Sequence, residues 1–249
     1  MTTAFDPALR AELAPTGTLR AGLNHSNFLL VRRDPQTGAP RGIAVDLASE
    51  IARRAGVPVR FLSYESPGEM ADAVADWDIA FLGAEPARAK EIAFTAAYLE
   101  IEATYLVPPG SPIGSIDQVD REGVRIAVSA RSAYDLYLSR TVRRAQLVKA
   151  EGIEASYLLF EAERLDALAG LRPRLVSDLA RMPGSRILDG RFTAIQQAIG
   201  TPRARGGVAA WLHRFVEESK ADGSVTGVIE RNGVRGVNVA PPSAPAAAR

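Results

Sequence analysis

Apolar and polar residues alternate through Leu19, Ala21 and Leu23, a period of two that predicts a strand over "TLRAGLN", ending in the polar loop 24–27, "NHSN". The period then changes. Ile43, Leu47, Ile51 and Ala55 recur every fourth position in "RGIAVDLASEIARRAGVPV", which predicts a helix with one buried face. Gly56 closes it and Pro58 prevents its continuation. A second strand follows at 59–64. Ser66, Pro67 and Glu69 then supply an N-cap, a first-turn proline and a capping acid for a helix running to about Ala75. "DIAFLG" (78–83) is apolar without alternation, as in a strand covered on both faces. Residues 18–83 therefore read β-α-β-α-β, a parallel sheet with helices on both faces. Ligands of such sheets sit beyond the carboxyl ends of the strands. Asn24, Ser66 and the stretch Ala84 to Arg88 all fall at such ends.

A second α/β segment begins after the strand "IEATYLV" and its Pro/Gly-rich exit. "GVRIAVSA" reads as a strand and "RSAYDLYLSRTVRRA" as a helix, with Ser132 and Asp135 in a capping pattern. "DALAGLRPRLVSDLARM" adds a strand and a helix, and "RFTAIQQAIGTPR" (191–203) a strand that crosses back. A last strong helix spans about 204–221, with Val208, Trp211, Leu212, Phe215 and Val216 on one face and Gly223 as its stop. The organisation expected is an N-terminal extension over 1–17 and a discontinuous first lobe over 18–104 plus 195–238. The second lobe takes 105–194, and 239–249 forms a low-complexity disordered tail. Two crossing strands, with hinges near 104–108 and 192–197, would join the lobes around a cleft.

Composition narrows the chemistry. The 249 residues carry a formal net charge of +1, with no basic excess to neutralise phosphates, so nucleic acid is not an expected partner. Cysteine is absent, which excludes disulfides and thiol chemistry. No His-x-x-x-His spacing, Gly-rich phosphate loop or Gly-x-Ser-x-Gly elbow occurs, so no metal or cofactor is expected. The pair Asp76 and Asp78 flanks a strand and reads as solvated. No run approaches the ~18 apolar residues of a membrane span. The N-terminal "MTTAFDPALRAELAPTG" lacks the apolar core of a signal peptide, which reads as cytoplasmic as the sequence stands, and periplasmic if a leader was removed.

Four segments in order resemble the family 3 extracellular solute-binding proteins, the polar amino-acid receptors of ABC importers. They are "RGIAVDLASEIARRAGVPVRF", "DIAFLGAEPARAKEIAFTAAYLE", "GVRIAVSARSAYDLYL" and "ESKADGSVTGVIERNG". The resemblance covers 18 to about 234. It implies a two-lobed periplasmic-binding-protein-like fold of type II, each lobe a mixed, mainly parallel sheet with helices on both faces. It implies a monomeric, non-enzymatic receptor that closes on a small carboxylate or amino-acid ligand, with an ABC permease as possible partner.

The resemblance also assigns roles. Arg88 matches the arginine that clamps the ligand's α-carboxylate, which suits a planar two-point donor at the start of a helix over "PARAKE". A salt bridge to Glu85 or Glu91 is the competing reading. Arg131, Ser132 and Ala133 match a Gly-Thr-Thr-like loop that faces the same carboxylate, with Arg131 replacing a glycine. Ser132 alternatively only caps its helix. An aspartate that holds the ligand's α-ammonium is missing: Gly170 is followed by Leu171 and Arg172. Either the ligand lacks an amine, and Arg172 joins Arg88 and Arg131 around a mono- or dicarboxylate, or Glu85 replaces the lost acid. Asn24, Asn27 and Phe28 would form the floor, with Ala84 and Tyr64 nearby. His25 is weighed as a structural hydrogen-bonder or a ligand contact. A cyclohexadienyl-dehydratase-like enzyme, with His25 or Glu85 as acid, and a cytoplasmic ligand sensor of the same fold remain the alternatives.

Overall fold

The computed structural model describes residues 5–243. The chain forms two compact units, Met1–Glu100 with Gln196–Arg249, and Ile101–Ile195. The first unit contains α1 (Pro7–Leu13), β1 (Leu19–Asn24), a hairpin of β2 (Arg32–Arg33) and β3 (Pro40–Arg41), α2 (Ile43–Ala55), β4 (Val59–Tyr64), α3 (Pro67–Asp72), β5 (Ile79–Gly83) and β6 (Ile92–Phe94). The chain leaves this unit within β7 (Leu99–Val107). The second unit holds β8 (Arg125–Ser129), α4 (Ala133–Thr141), β9 (Gln146–Ala150), α5 (Ile153–Ala162), β10 (Ala167–Leu171), α6 (Arg172–Leu179) and β11 (Arg186–Ile187). Return is within β12 (Thr193–Pro202), followed by α7 (Gly206–Ala221), α8 (Ser224–Arg231) and β13 (Asn238–Val239).

Strand order in the first unit is β4-β1-β5-β12, with β4, β1 and β5 parallel and β12 antiparallel to β5. In the second unit it is β9-β8-β10-β7, again three parallel strands and one antiparallel. Both units follow one rule: the first strand sits between the second and the third. Connections after the first and third strands therefore leave in opposite directions, and a crevice opens beyond their carboxyl ends. In the first unit these ends are Asn24 and Gly83, and in the second Ser129 and Leu171.

Local chemistry explains the elements. Ser66 caps α3 by accepting from the Glu69 N–H at 3.1 Å, and the Glu69 carboxylate reaches back to the Glu65 N–H at 2.9 Å. This helix ends at Asp72, one turn before the boundary the sequence pattern suggests. Trp77 is fully buried beside Met70 and donates its indole N–H to the Met70 carbonyl at 2.9 Å. The second core gathers Leu106, Tyr157, Phe160, Leu165, Leu168 and Leu175.

Residues 7–13, read as part of an extension, form α1, whose Leu13 is completely buried. Val239, read as the first residue of a disordered tail, pairs with Leu99 in β13, and Ala240 is buried. The rest of that tail, from 244, lies outside the described residues.

The turn into α2 requires glycine. Gly42 has φ 129°, and a Cβ there would meet the Leu30 carbonyl oxygen at 2.4 Å. That oxygen is fixed, because it accepts from the Ala44 N–H at 3.1 Å. Gly42→Ala is expected to lower the unfolding free energy by roughly 2–4 kcal/mol, combining overlap with a disfavoured φ. Urea denaturation of the variant against the parent measures this.

One sequence expectation is corrected. Asp76 is exposed, but Asp78 is wholly buried, not solvated. Its carboxylate takes two guanidinium N–H bonds from Arg20 (3.1 and 2.8 Å), one from Arg205 (2.8 Å) and the Arg20 backbone N–H (2.8 Å). A carboxylate leaves water only when paired and hydrogen-bonded, and Asp78 is both.

Candidate functional site

The first unit assembles its candidates at the strand ends. The loop after β1 is shaped by its asparagines. Asn24 Oδ1 accepts from the Ser26 N–H (3.1 Å) and hydroxyl (2.7 Å), and Asn27 Oδ1 from the Leu29 N–H (3.3 Å). Both side chains are buried, and among the described residues neither amide NH2 group has a hydrogen-bond acceptor. Both remain available as donors. Phe28 is half-buried beside them. Tyr64 lies opposite Asn24 in the β1–β4 pairing, but its ring packs with Met70 and Trp77, so it supports the floor from the core. Burial pushes its phenol above the usual range.

His25 hangs on this floor through its backbone, donating to the Tyr64 carbonyl at 2.9 Å. Its Nε2 faces the Ser63 hydroxyl at 2.9 Å. Burial, and then Arg33, lower its pKa, with Glu65 opposing, so the ring is neutral near pH 7.

The loop after β5 carries the central feature. Ala84 continues the ladder by donating to the Gln196 carbonyl at 2.8 Å. Glu85 and Arg88 are both buried, 7% exposed each. Arg88 Nη1 donates to the Gly83 carbonyl at 2.7 Å, which ties the guanidinium to the last residue of β5. Its backbone N–H donates to the Glu85 carbonyl at 2.9 Å, closing the turn between the two residues. The expected "PARAKE" helix does not form; Arg88–Lys90 is a single 3-10 turn. Pro86 and the short spacing to β6 leave no length for a helix, so no helix dipole assists this position. Fixed orientation comes from the Gly83 carbonyl instead.

The second unit's candidates cluster in two places. After β8, Arg131 sits at φ 58°, the left-handed region that favours glycine. The cost is met by Asp135, whose carboxylate accepts the Arg131 N–H at 2.7 Å. Ser132 caps α4 by accepting from the Asp135 N–H at 3.1 Å, and its hydroxyl also pairs with the Tyr134 phenol. Asp135, buried to 1% exposure, is balanced by Lys149 Nζ at 2.8 Å and the Ser139 hydroxyl at 3.0 Å. Ser132 is thus the helix cap, and Ala133, the first residue of α4, is buried beside it. Sequence spacing revealed the cap and Asp135; the supporting Lys149 and Tyr134 had no signal in the sequence.

At the end of β10, Leu171 is buried and forms the N-cap position of α6 without a side-chain capping bond. Arg172 is half-buried. Its Nε donates to Glu102 at 2.8 Å and its Nη2 to the Gly190 carbonyl. Glu102 also faces Arg191 at 3.7 Å. Arg172 is therefore held within its own unit by a carboxylate on β7, the strand paired with β10 but 70 positions away in sequence, a partner that periodicity does not disclose. Among the described residues, no group of three or more His, Cys, Asp or Glu could hold a metal, and no helix is long and apolar enough to cross a membrane.

Two α/β units of matching strand order, each with polar groups at its switch point, define a two-unit α/β protein of the periplasmic-binding-protein class, type II. The chain belongs to the bacterial extracellular solute-binding proteins, family 3, whose model matches residues 20–233. Its fold is similar to that of the L-cysteine solute receptor of Neisseria gonorrhoeae, at TM-score 0.76 and 19% identity, over 91% of this chain and 95% of that one. A mutant of ArgBP from T. maritima is similar at TM-score 0.73 and 21% identity, over 90% and 99% of the two chains. An ancestral amino acid-binding protein described as a precursor of cyclohexadienyl dehydratase gives TM-score 0.73 and 21% identity, over 90% and 98%.

Proposed function

We propose that this protein is a receptor for a small carboxylate ligand, an amino acid or its deaminated analogue, serving an ABC-type importer outside the cytoplasm. The observation that carries this reading is Arg88: a buried guanidinium, tied by one nitrogen to the Gly83 carbonyl at the switch point of its unit. A guanidinium so anchored is held at fixed orientation, and its planar fork is the complement of a carboxylate. The amide donors of Asn24 and Asn27 and the ring of Phe28 supply polar and apolar contacts for the rest of a small molecule. In the same reading, contacts made only with ligand bound shift the protein toward the form a permease recognises. Solved structures of similar fold include receptors for L-cysteine and one complexed with lysine, which favours an amino-acid-sized ligand.

Leucine at 171 is the specificity question. It removes the carboxylate that an α-ammonium would need, and Arg172 beside it is already paired with Glu102. The test is a thermal-shift panel of amino acids, their deaminated analogues, dicarboxylates and prephenate, on the parent protein and on Leu171→Asp. A ligand at a hundred times its Kd adds about 2.7 kcal/mol, a shift on the order of 5–10 °C. Carboxylates without an amine are expected to raise the parent's melting temperature, and Leu171→Asp to gain amino-acid binding. Amino acids preferred by the parent would instead assign the ammonium to Glu85. No shift with any carboxylate would overturn the reading. The aspartate is tolerable at this position, because N-cap sites favour it.

A further inference from the structure

The second unit carries a cavity that the switch-point residues do not line. It has a volume of about 510 Å³, and its walls include Tyr105, Tyr137, Phe192, Asp117, Asp120 and Thr141. Phe192 lies between two tyrosines, 4.6 Å from the Tyr105 ring and 6.0 Å from the Tyr137 ring, centroid to centroid. Arg140 covers Tyr137 at 5.1 Å, so the aromatic ladder has a fixed end.

Two polar groups at this wall are incompletely used. Tyr105 is 96% buried (4% exposed), yet its hydroxyl makes no hydrogen bond among the described residues. It is also not sealed inside the protein, unlike the fully enclosed Tyr98 and Tyr157 hydroxyls, which among the described residues have no partner either. Burial, reinforced by the Asp120 charge and by Tyr137, pushes the Tyr105 phenol well above its ordinary range, so it stays a protonated donor.

Asp120 is ionised. Burial opposes its charge, but N–H bonds from Ala145, Arg144 and Arg143 prevail and lower its pKa. Those bonds are unequal. Oδ1 takes all three, at 2.9, 2.8 and 3.1 Å, whereas Oδ2 takes only the Arg143 N–H, at 3.0 Å. A carboxylate oxygen has two acceptor directions, so Oδ2 keeps one.

We propose that this cavity is a second ligand site, for a small arylalkyl amine. The ammonium would donate to Asp120 Oδ2, the ring would extend the edge of the Tyr105–Phe192–Tyr137 ladder, and a hydroxyl or ether on the ring would pair with the Tyr105 phenol. Each part answers an observation: an acceptor with spare capacity, an aromatic wall, and a buried donor lacking an acceptor. Asp117 and Asp120 on this wall are matched in number by Arg143 and Arg144, which line it too, so the spare Asp120 Oδ2 acceptor, not net charge, selects the ammonium. The proposal is independent of the ligand bound at Arg88.

Ligand-observed saturation-transfer NMR with tyramine tests it, with phenylacetate as the anionic comparator and tetramethylammonium as the cation without a ring. Tyramine is expected to bind saturably. Tyr105→Phe and Asp120→Asn should each weaken it roughly 3- to 10-fold, the worth of one hydrogen bond. Tyr105→Phe removes a hydroxyl that bonds to nothing in the protein, and Asp120→Asn keeps an oxygen for the backbone N–H groups, so both should fold. Arg88→Ala should leave tyramine binding unchanged. Absence of saturable binding, equal binding by the parent and both variants, loss in Arg88→Ala, or preference for phenylacetate would each overturn the assignment.

Discussion

Arg88→Ala is expected to abolish ligand binding, weakening it at least ~100-fold, while the protein stays folded. Loss of a two-point charged hydrogen bond removes on the order of 3 kcal/mol or more. Arg88→Lys should rescue little, because an ammonium is a point donor and cannot both hold the Gly83 carbonyl and present two parallel N–H groups. Isothermal titration with the best carboxylate from the thermal-shift panel measures both variants. Unchanged affinity in Arg88→Ala would assign Arg88 to a structural role, closing the β5 turn with Glu85. Circular dichroism separates loss of binding from loss of fold.

Asp78→Ala is expected to cost about 3–5 kcal/mol, the range for breaking a buried ion pair by removing one partner. The melting temperature of the first unit should fall by roughly 8–15 °C. Its carboxylate receives Arg20 and Arg205, whose side chains are only 24% and 19% exposed. Without Asp78 both lose their counter-ion. Two elements distant in sequence, the start of β1 and the entry to α7, then lose the group that joins them. The Thr201 hydroxyl donates to the Asp78 carbonyl at 3.0 Å, and that bond survives the substitution, so Ala tests the carboxylate alone. A fall of less than 1 °C in differential scanning calorimetry would mean that the pair's attraction is cancelled by its desolvation. Asp78→Asn should fall between, since it keeps the Arg20 N–H acceptor but not the charge.

The switch-point geometry joins these expectations. Arg88 stands at the carboxyl end of β5, and Asp78 lies just before its other end. The strand between them, Ile79–Gly83, is wholly buried. Arg88 and the anchoring ion pair thus sit at opposite ends of one rigid element, which is how a loop residue such as Arg88 acquires a fixed position.

The sequence by itself determined the periodic and the capped elements. The four-residue repeat of Ile43, Leu47, Ile51 and Ala55 is α2, because a helix face needs nothing beyond its own spacing. Ser66 and Ser132 were legible as caps, because a cap bonds within three residues. Resemblance of ordered segments placed Arg88, Ser132 and Arg172 at the ends of β5, β8 and β10. Tertiary structure decided what those residues touch. It showed a 3-10 turn where the pattern suggested a helix at Arg88, since Pro86 and β6 leave too few residues for one. It brought Glu102 to Arg172 across 70 positions and Arg205 to Asp78 across 127. Partners that distant are selected by strand order, which no local period encodes. The same holds for Tyr105, Tyr137 and Phe192: each reads alone as an ordinary apolar position, and only their meeting in the second unit makes a wall with an unused hydroxyl.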